Sequence, residues 1–268
     1  MRFQLDLTKE YGIVLEGGGA RGSYQIGAWK ALREAGIKIR GIAGASVGAL
    51  NGALICMDDL EKAEEIWENI RYSQVIDVDD DVIETVKKLD LKSLDLVKVA
   101  EDAKRILKDK GLDITPLKNL IESVVDEDKI RSSDRELYLT TYSVTDRELL
   151  VLNAKDIPDG EIGDMLLASA YFPAFRNDKL GGKRYLDGGG WNNVPINILL
   201  EHDYKDILVI RIYGLGYDSE RTTEIPEDVH VTHIAPRQDL GGILEFDRTR
   251  ARKNMTLGYY DAKRVLYG

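Results

Sequence analysis

Short apolar runs alternate along this chain with segments whose apolar residues recur every three or four positions, and that alternation predicts a parallel sheet covered by helices. Tyr11 to Leu15 is the first run, the length of one buried strand. Beyond a glycine turn, Ile26, Trp29, Ala31 and Leu32 fall near helical spacing, and Gly36 stops the helix. Ile39 to Ala43 reads as a second buried strand, and the small, apolar stretch Ala49 to Met57 as a helix deep in the core. Leu137 to Val144 and Leu149 to Leu152 flank Thr145-Asp146-Arg147 and predict a hairpin. A helix from about Gly163 to Ala170 follows, then a short strand, Arg184 to Asp187, running into three glycines. Pro195 starts another helix, Ile207 to Tyr213 and Val229 to Ile234 read as strands, and Phe246 to Leu266 as a long basic helix.

Polarity changes between Asp58 and Asp113, where 17 acidic residues face 10 basic ones and supply −7 of the net −10. Leu89, Leu91, Leu94, Val97 and Val99 predict amphipathic helices there, and Thr115-Pro116 opens a helix to about Val125. The expectation is one domain over residues 1–268, an α/β fold with a helical acidic insertion or cap at about 58–135. At 43% hydrophobic and 31% charged residues the chain is an ordinary globular protein. Cys56 is the single cysteine, so no intrachain disulfide forms and a cytoplasmic location is expected. No run approaches a membrane-spanning length, and charges occupy the place of a signal peptide's apolar region. The acidic balance argues against nucleic acid as a partner. Three histidines, His202, His230 and His233, all late in the chain, make a histidine-rich metal site unexpected.

Two glycine patterns carry candidate chemistry. Gly17-Gly18-Gly19-Ala20-Arg21-Gly22 satisfies G-x-G-x-x-G between a strand and a helix. Its amides suit negative charge, either a standing phosphate or an oxyanion that appears during reaction. A dinucleotide site requires an acid about 20 positions on, where Arg40 and Gly41 stand instead; an arginine there can accept a 2′-phosphate. Gly44-Ala45-Ser46-Val47-Gly48 has the form of a nucleophile elbow, a sharp strand-to-helix turn that exposes a serine hydroxyl. Serine needs a base. The histidines read as surface or packing residues, which leaves Asp187, at a strand end before Gly188 and Gly189, as the best-placed carboxylate.

In these three motifs, taken in this order, the chain resembles the patatin-like phospholipases, particularly their bacterial members. The resemblance covers residues 11–57 and roughly 165–200, including Ala168-Ser169-Ala170-Tyr171-Phe172-Pro173; Gly189 stands where many members have alanine. It implies a three-layer α/β/α sandwich with a mostly parallel sheet, related to cytosolic phospholipase A2. It implies a lipid acyl hydrolase that cleaves carboxylic esters of phospholipids or lysophospholipids through an acyl-enzyme, with a Ser-Asp dyad and no histidine. Ser46 would be the nucleophile and Asp187 its proton acceptor. Gly17, Gly18 and Gly19, with Arg21 and Gly22, would form the oxyanion hole. No metal or organic cofactor and no obligate protein partner is implied; a lipid or ester is the substrate, with transient contact to a membrane surface. The competing readings are a dinucleotide-binding oxidoreductase built on the first glycine loop and a non-catalytic lipid-binding protein. Arg21 is expected to support the loop. The last helix, with Arg248, Arg250, Arg252, Lys253, Lys263 and Arg264, is expected to pack on the sheet.

Overall fold

A computed structural model of the chain describes residues 5–77 and 111–268. The helices expected around Leu89 to Val99 lie outside the described residues. The strands are β1 (Glu10–Leu15), β2 (Lys38–Ala45), β3 (Glu136–Ser143), β4 (Glu148–Asn153), β5 (Tyr185–Asp187), β6 (Asp206–Ile210) and β7 (His230–Ile234). They form one sheet in the order β4-β3-β2-β1-β6-β7, with β5 added alongside β3. From β3 to β7 the neighbours run parallel, while β4 and β5 lie antiparallel to β3.

Strand residues alternate between two cores, as the two-residue period of a strand requires. Ile13, Leu15, Ile42, Leu208 and Ile210 point into the larger core; Val14, Ala43, Ile207 and Val209 point into the smaller one. The larger core is covered by α1 (Ser23–Glu34), α2 (Val47–Cys56) and α9 (Arg248–Tyr267). Helix α8 (Ile196–Glu201) covers the smaller core with Ile196, Ile198 and Leu199. The result is the α/β/α sandwich. Its last helix packs along α1, where the buried Tyr24 hydroxyl donates to Asp261 at 3.0 Å, and Arg252, Lys253 and Arg264 stay in solvent.

Around the acidic section the described chain is helical and bound to the larger core. Helix α3 (Leu60–Asn69) is capped by Asp59, which accepts from the Lys62 amide, and buries Ala63 and Trp67. Helix α4 (Thr115–Val124) buries Leu117 and Ile121, and the short α5 (Glu127–Ser132), capped by Asp126, buries Ile130. Two further helices, α6 (Ile162–Ser169) and α7 (Gly189–Asn192), flank β5.

One predicted strand is too long. Its apolar content carries Ile207 to Tyr213 as a strand, but β6 stops at Ile210, because the Glu16 carboxylate takes the amides of Ile212, Tyr213 and Gly214. Those donors are lost to the sheet.

Candidate active site

Parallel pairing of β1 with β2, in which Leu15 lies opposite Gly44, brings the glycine loop and the elbow out at the same end of the sheet. Strand β3 then sets Ser46 against Asp187. Its Thr140 pairs with Ala45 at the end of β2, and its next residue, Thr141, pairs with Asp187 at the end of the antiparallel β5. Two strands meet end to end along one edge of β3, and the residues at the junction are Ala45, Ser46 and Asp187.

Ser46 sits at φ 54°, ψ −127°, a conformation that L residues rarely adopt. The flanking glycines permit the bend by close contact: a Cβ on Gly44 would lie 2.4 Å from the Gly48 carbonyl oxygen, and one on Gly48 would lie 2.1 Å from that of Leu15. Helix α2 begins at Val47, two residues earlier than the sequence predicts, so its unpaired first-turn amides start beside the hydroxyl. The buried Ser169 hydroxyl accepts from the Ser46 amide at 3.0 Å.

Asp187 is 9% exposed. Its Oδ1 accepts from the Gly189 amide at 2.8 Å, and the Ser46 side chain stands beside the carboxylate. Burial raises the carboxyl pKa from 3.8 to about 6 against the opposing effect of these two neighbours. The group is thus a carboxylate at neutral pH with an increased appetite for a proton.

The glycine loop divides its amides. Gly17 donates to the Asn193 carbonyl at 3.2 Å, Ala20 to that of Ile243 at 2.8 Å and Arg21 to that of Gly18 at 3.3 Å. Those of Gly18 and Gly19 have no acceptor among the described residues. Of the five residues that the resemblance assigns to an oxyanion hole, Gly18 and Gly19 are thus the ones whose amides are left unclaimed. Gly17 is spent on Asn193, whose side chain donates back to the Gly17 carbonyl at 3.1 Å. Arg21 turns its guanidinium onto the carbonyls of Gly241 (2.7 Å), Ile212 (3.4 Å) and Tyr213, tying the loop to those segments. Gly22 is a packing position beneath the Val47 and Asn51 side chains. Gly188 lies against Thr140, and Gly189 supplies the amide that holds Asp187.

A cavity of about 130 Å³ meets these groups. Ser46, Asp187, Gly18, Gly19 and Asn193 line it together with a long apolar wall from α2, α3, α4 and α6, including Leu50, Leu54, Trp67, Leu120 and Ile121. No histidine is among the lining residues. His202 lies tilted against Tyr138 at the end of α8, His233 bonds to Glu220 at 2.6 Å, and His230 is exposed on β7. Arg40 lies at the opposite end of the sheet from the glycine loop, paired with Glu10 and Asp134, and cannot hold a phosphate there.

The model of the patatin-like phospholipases matches residues 13–200. The chain belongs to that family. Relatives include a lysophospholipase of Aspergillus terreus, 58% identical over 50 residues, and a neuropathy target esterase of Drosophila sechellia, 57% identical over 47 residues. These stretches are 19% and 18% of this patatin-like chain and 3% of each relative's own length. Among solved structures, VipD of Legionella pneumophila shares the fold, with a TM-score of 0.55 at 15% identity over 95% of this chain and 66% of that one. For this patatin-like domain, sequence reasoning missed Ser169 and Asn193 as residues that hold the Ser46 amide and Gly17. Both act through backbone atoms of distant segments, a role that leaves no local pattern.

Proposed function

We propose that the protein is a serine lipid acyl hydrolase that cleaves carboxylic esters of phospholipids or lysophospholipids with Ser46 and Asp187. The observation that carries this reading is the junction on β3: a serine on a strained elbow next to a buried, proton-hungry carboxylate, with two unclaimed amides beside it. An acyl chain in the apolar cavity would bring its ester carbonyl to that junction. Ser46 Oγ attacks the carbonyl carbon as its proton passes to Asp187. Charge moves to the carbonyl oxygen and is met by the Gly18 and Gly19 amides, each worth about 3 kcal/mol if well placed. Collapse of the tetrahedral intermediate breaks the ester bond; the leaving alcohol takes the proton from Asp187, and Ser46 holds the acyl group. Water then attacks, giving its proton to the carboxylate, and the fatty acid leaves as Ser46 recovers its hydrogen.

The names of the relatives, a lysophospholipase and an esterase, agree with the substrate class. The experiment is labelling with a fluorophosphonate probe beside product analysis by mass spectrometry on a mixed lipid extract. Ser46 is expected to carry the label, and Ser46→Ala to release no fatty acid. Labelling elsewhere, or fatty acid release by the alanine variant, removes Ser46 from the mechanism.

A further inference from the structure

The residues on either side of the glycine loop grip one strip of backbone beyond β6. Glu16, just before the loop, is 2% exposed. Its Oε2 accepts from the amides of Ile212 at 2.7 Å and Tyr213 at 3.0 Å, and its Oε1 from that of Gly214 at 3.2 Å. Arg21, inside the loop's far end, donates to the carbonyls of Ile212 and Tyr213. One side chain takes the strip's N–H groups and the other its C=O groups. Tyr213 is held at φ 50°, a left-handed conformation that the two grips stabilise.

The strip touches the candidate oxyanion donors directly. A Cβ on Gly214 would lie 1.8 Å from the Gly17 carbonyl oxygen and 2.8 Å from the Gly18 Cα. Arg211 completes the arrangement. Its Nε donates to Glu16 at 3.1 Å, while its other nitrogens are fixed by Asp218 and Glu220, both at 2.7 Å. A buried ion pair of this kind is a weak stabiliser compared with apolar packing of the same shape. Its geometric effect is specific: it fixes a carboxylate whose other hydrogen bonds all come from one backbone strip.

We propose that Glu16 is a positioning residue, which with Arg21 clamps residues 212–214 as a rigid backing for Gly17 to Gly19, so that the Gly18 and Gly19 amides are aimed before an ester arrives. The inference rests on the oxyanion role proposed above for those amides. Glu16→Gln keeps the shape but turns an NH₂ group toward backbone donors. It is expected to lower kcat by 10- to 100-fold with KM unchanged within about twofold. Affinity for a trifluoromethyl ketone, which forms a charged tetrahedral adduct on the serine, is expected to fall in parallel with kcat, while affinity for the uncleavable ether analogue of the substrate stays constant.

Lys155→Met removes the hydrogen bonds of its Nζ to the Ser133 carbonyl (2.8 Å) and Glu136 (2.9 Å), at the end of β3 remote from the glycine loop, and serves as the stability control; it is expected to lower Tm without changing kcat. Arg21→Lys retains charge but cannot span the same carbonyls, and gives the Glu16→Gln pattern should that variant fail to fold. Wild-type kcat in Glu16→Gln, or equal loss of affinity for the ketone and the ether, overturns the clamp. If instead Ser46→Ala retains turnover, the reading of the site fails whatever Glu16 does; a dead Ser46→Ala beside a fully active Glu16→Gln removes the clamp alone.

Discussion

Replacing Asp187 by Asn is expected to stabilise the fold while destroying activity. A carboxyl raised from 3.8 to about 6 by burial is held in the folded protein at a cost whenever it is ionised. Because its folded pKa exceeds its unfolded one, stability is complete below about 3.8 and is lost as pH rises toward and through about 6. The shift corresponds to roughly 3 kcal/mol at pH 7 and above. Asparagine presents the same oxygen to the Gly189 amide and carries no charge, so the variant resembles the protonated acid at every pH. The difference in unfolding free energy between variant and wild type should be near zero at pH 4, grow between pH 4 and 6, and level off at about 3 kcal/mol above pH 7. Urea unfolding of both proteins across this range measures it directly; near neutrality the gain corresponds to roughly 6–12 °C in Tm. A difference that is flat with pH, or a wild type more stable than the variant at pH 8, would refute the claim that burial dominates this carboxyl.

The same group sets an activity profile: kcat/KM for a soluble ester should rise through pH 6 as Asp187 ionises and stay level to pH 8, and a profile flat across pH 6 contradicts its role as base. Gly19→Ala places a Cβ 2.1 Å from the Ile243 carbonyl oxygen at a backbone φ of 55°. It should lose at least about 100-fold in kcat and about 1–3 kcal/mol of stability, read by steady-state kinetics and denaturation. Leu120→Trp fills part of the apolar wall and should move preference from long-chain to short-chain esters, seen as a fall in the palmitate-to-butyrate ratio of kcat/KM with nitrophenyl esters.

The elbow was legible in sequence because its chemistry is local. Gly44 and Gly48 are required by contacts within a few residues of Ser46 or with the neighbouring strand, and the spacing records them. Alternation of apolar runs likewise disclosed the sheet, since each buried strand fills both cores with successive side chains. Asp187 was different. Its nearness to Ser46 depends on β3 pairing with β2 over one half and β5 over the other, and only the joint occurrence of three motifs pointed to it. Arg21 donates to the carbonyls of Gly241, Ile212 and Tyr213, partners that no local spacing announces, and Gly17 looked identical to its neighbours until Asn193 claimed its amide. The overrun of β6 has the same kind of origin. Local preference favours a strand through Tyr213, and a single distant carboxylate overrides it.

The central claim is that an acyl group resides on Ser46 during turnover with a carboxylate as the only base. Rapid acid quench of the wild type with a long-chain ester, followed by peptide mass spectrometry, tests it most directly. The account predicts an acyl mass increment on the peptide containing Ser46, and neither increment nor fatty acid from Ser46→Ala. Fatty acid release with the increment on another residue would contradict it.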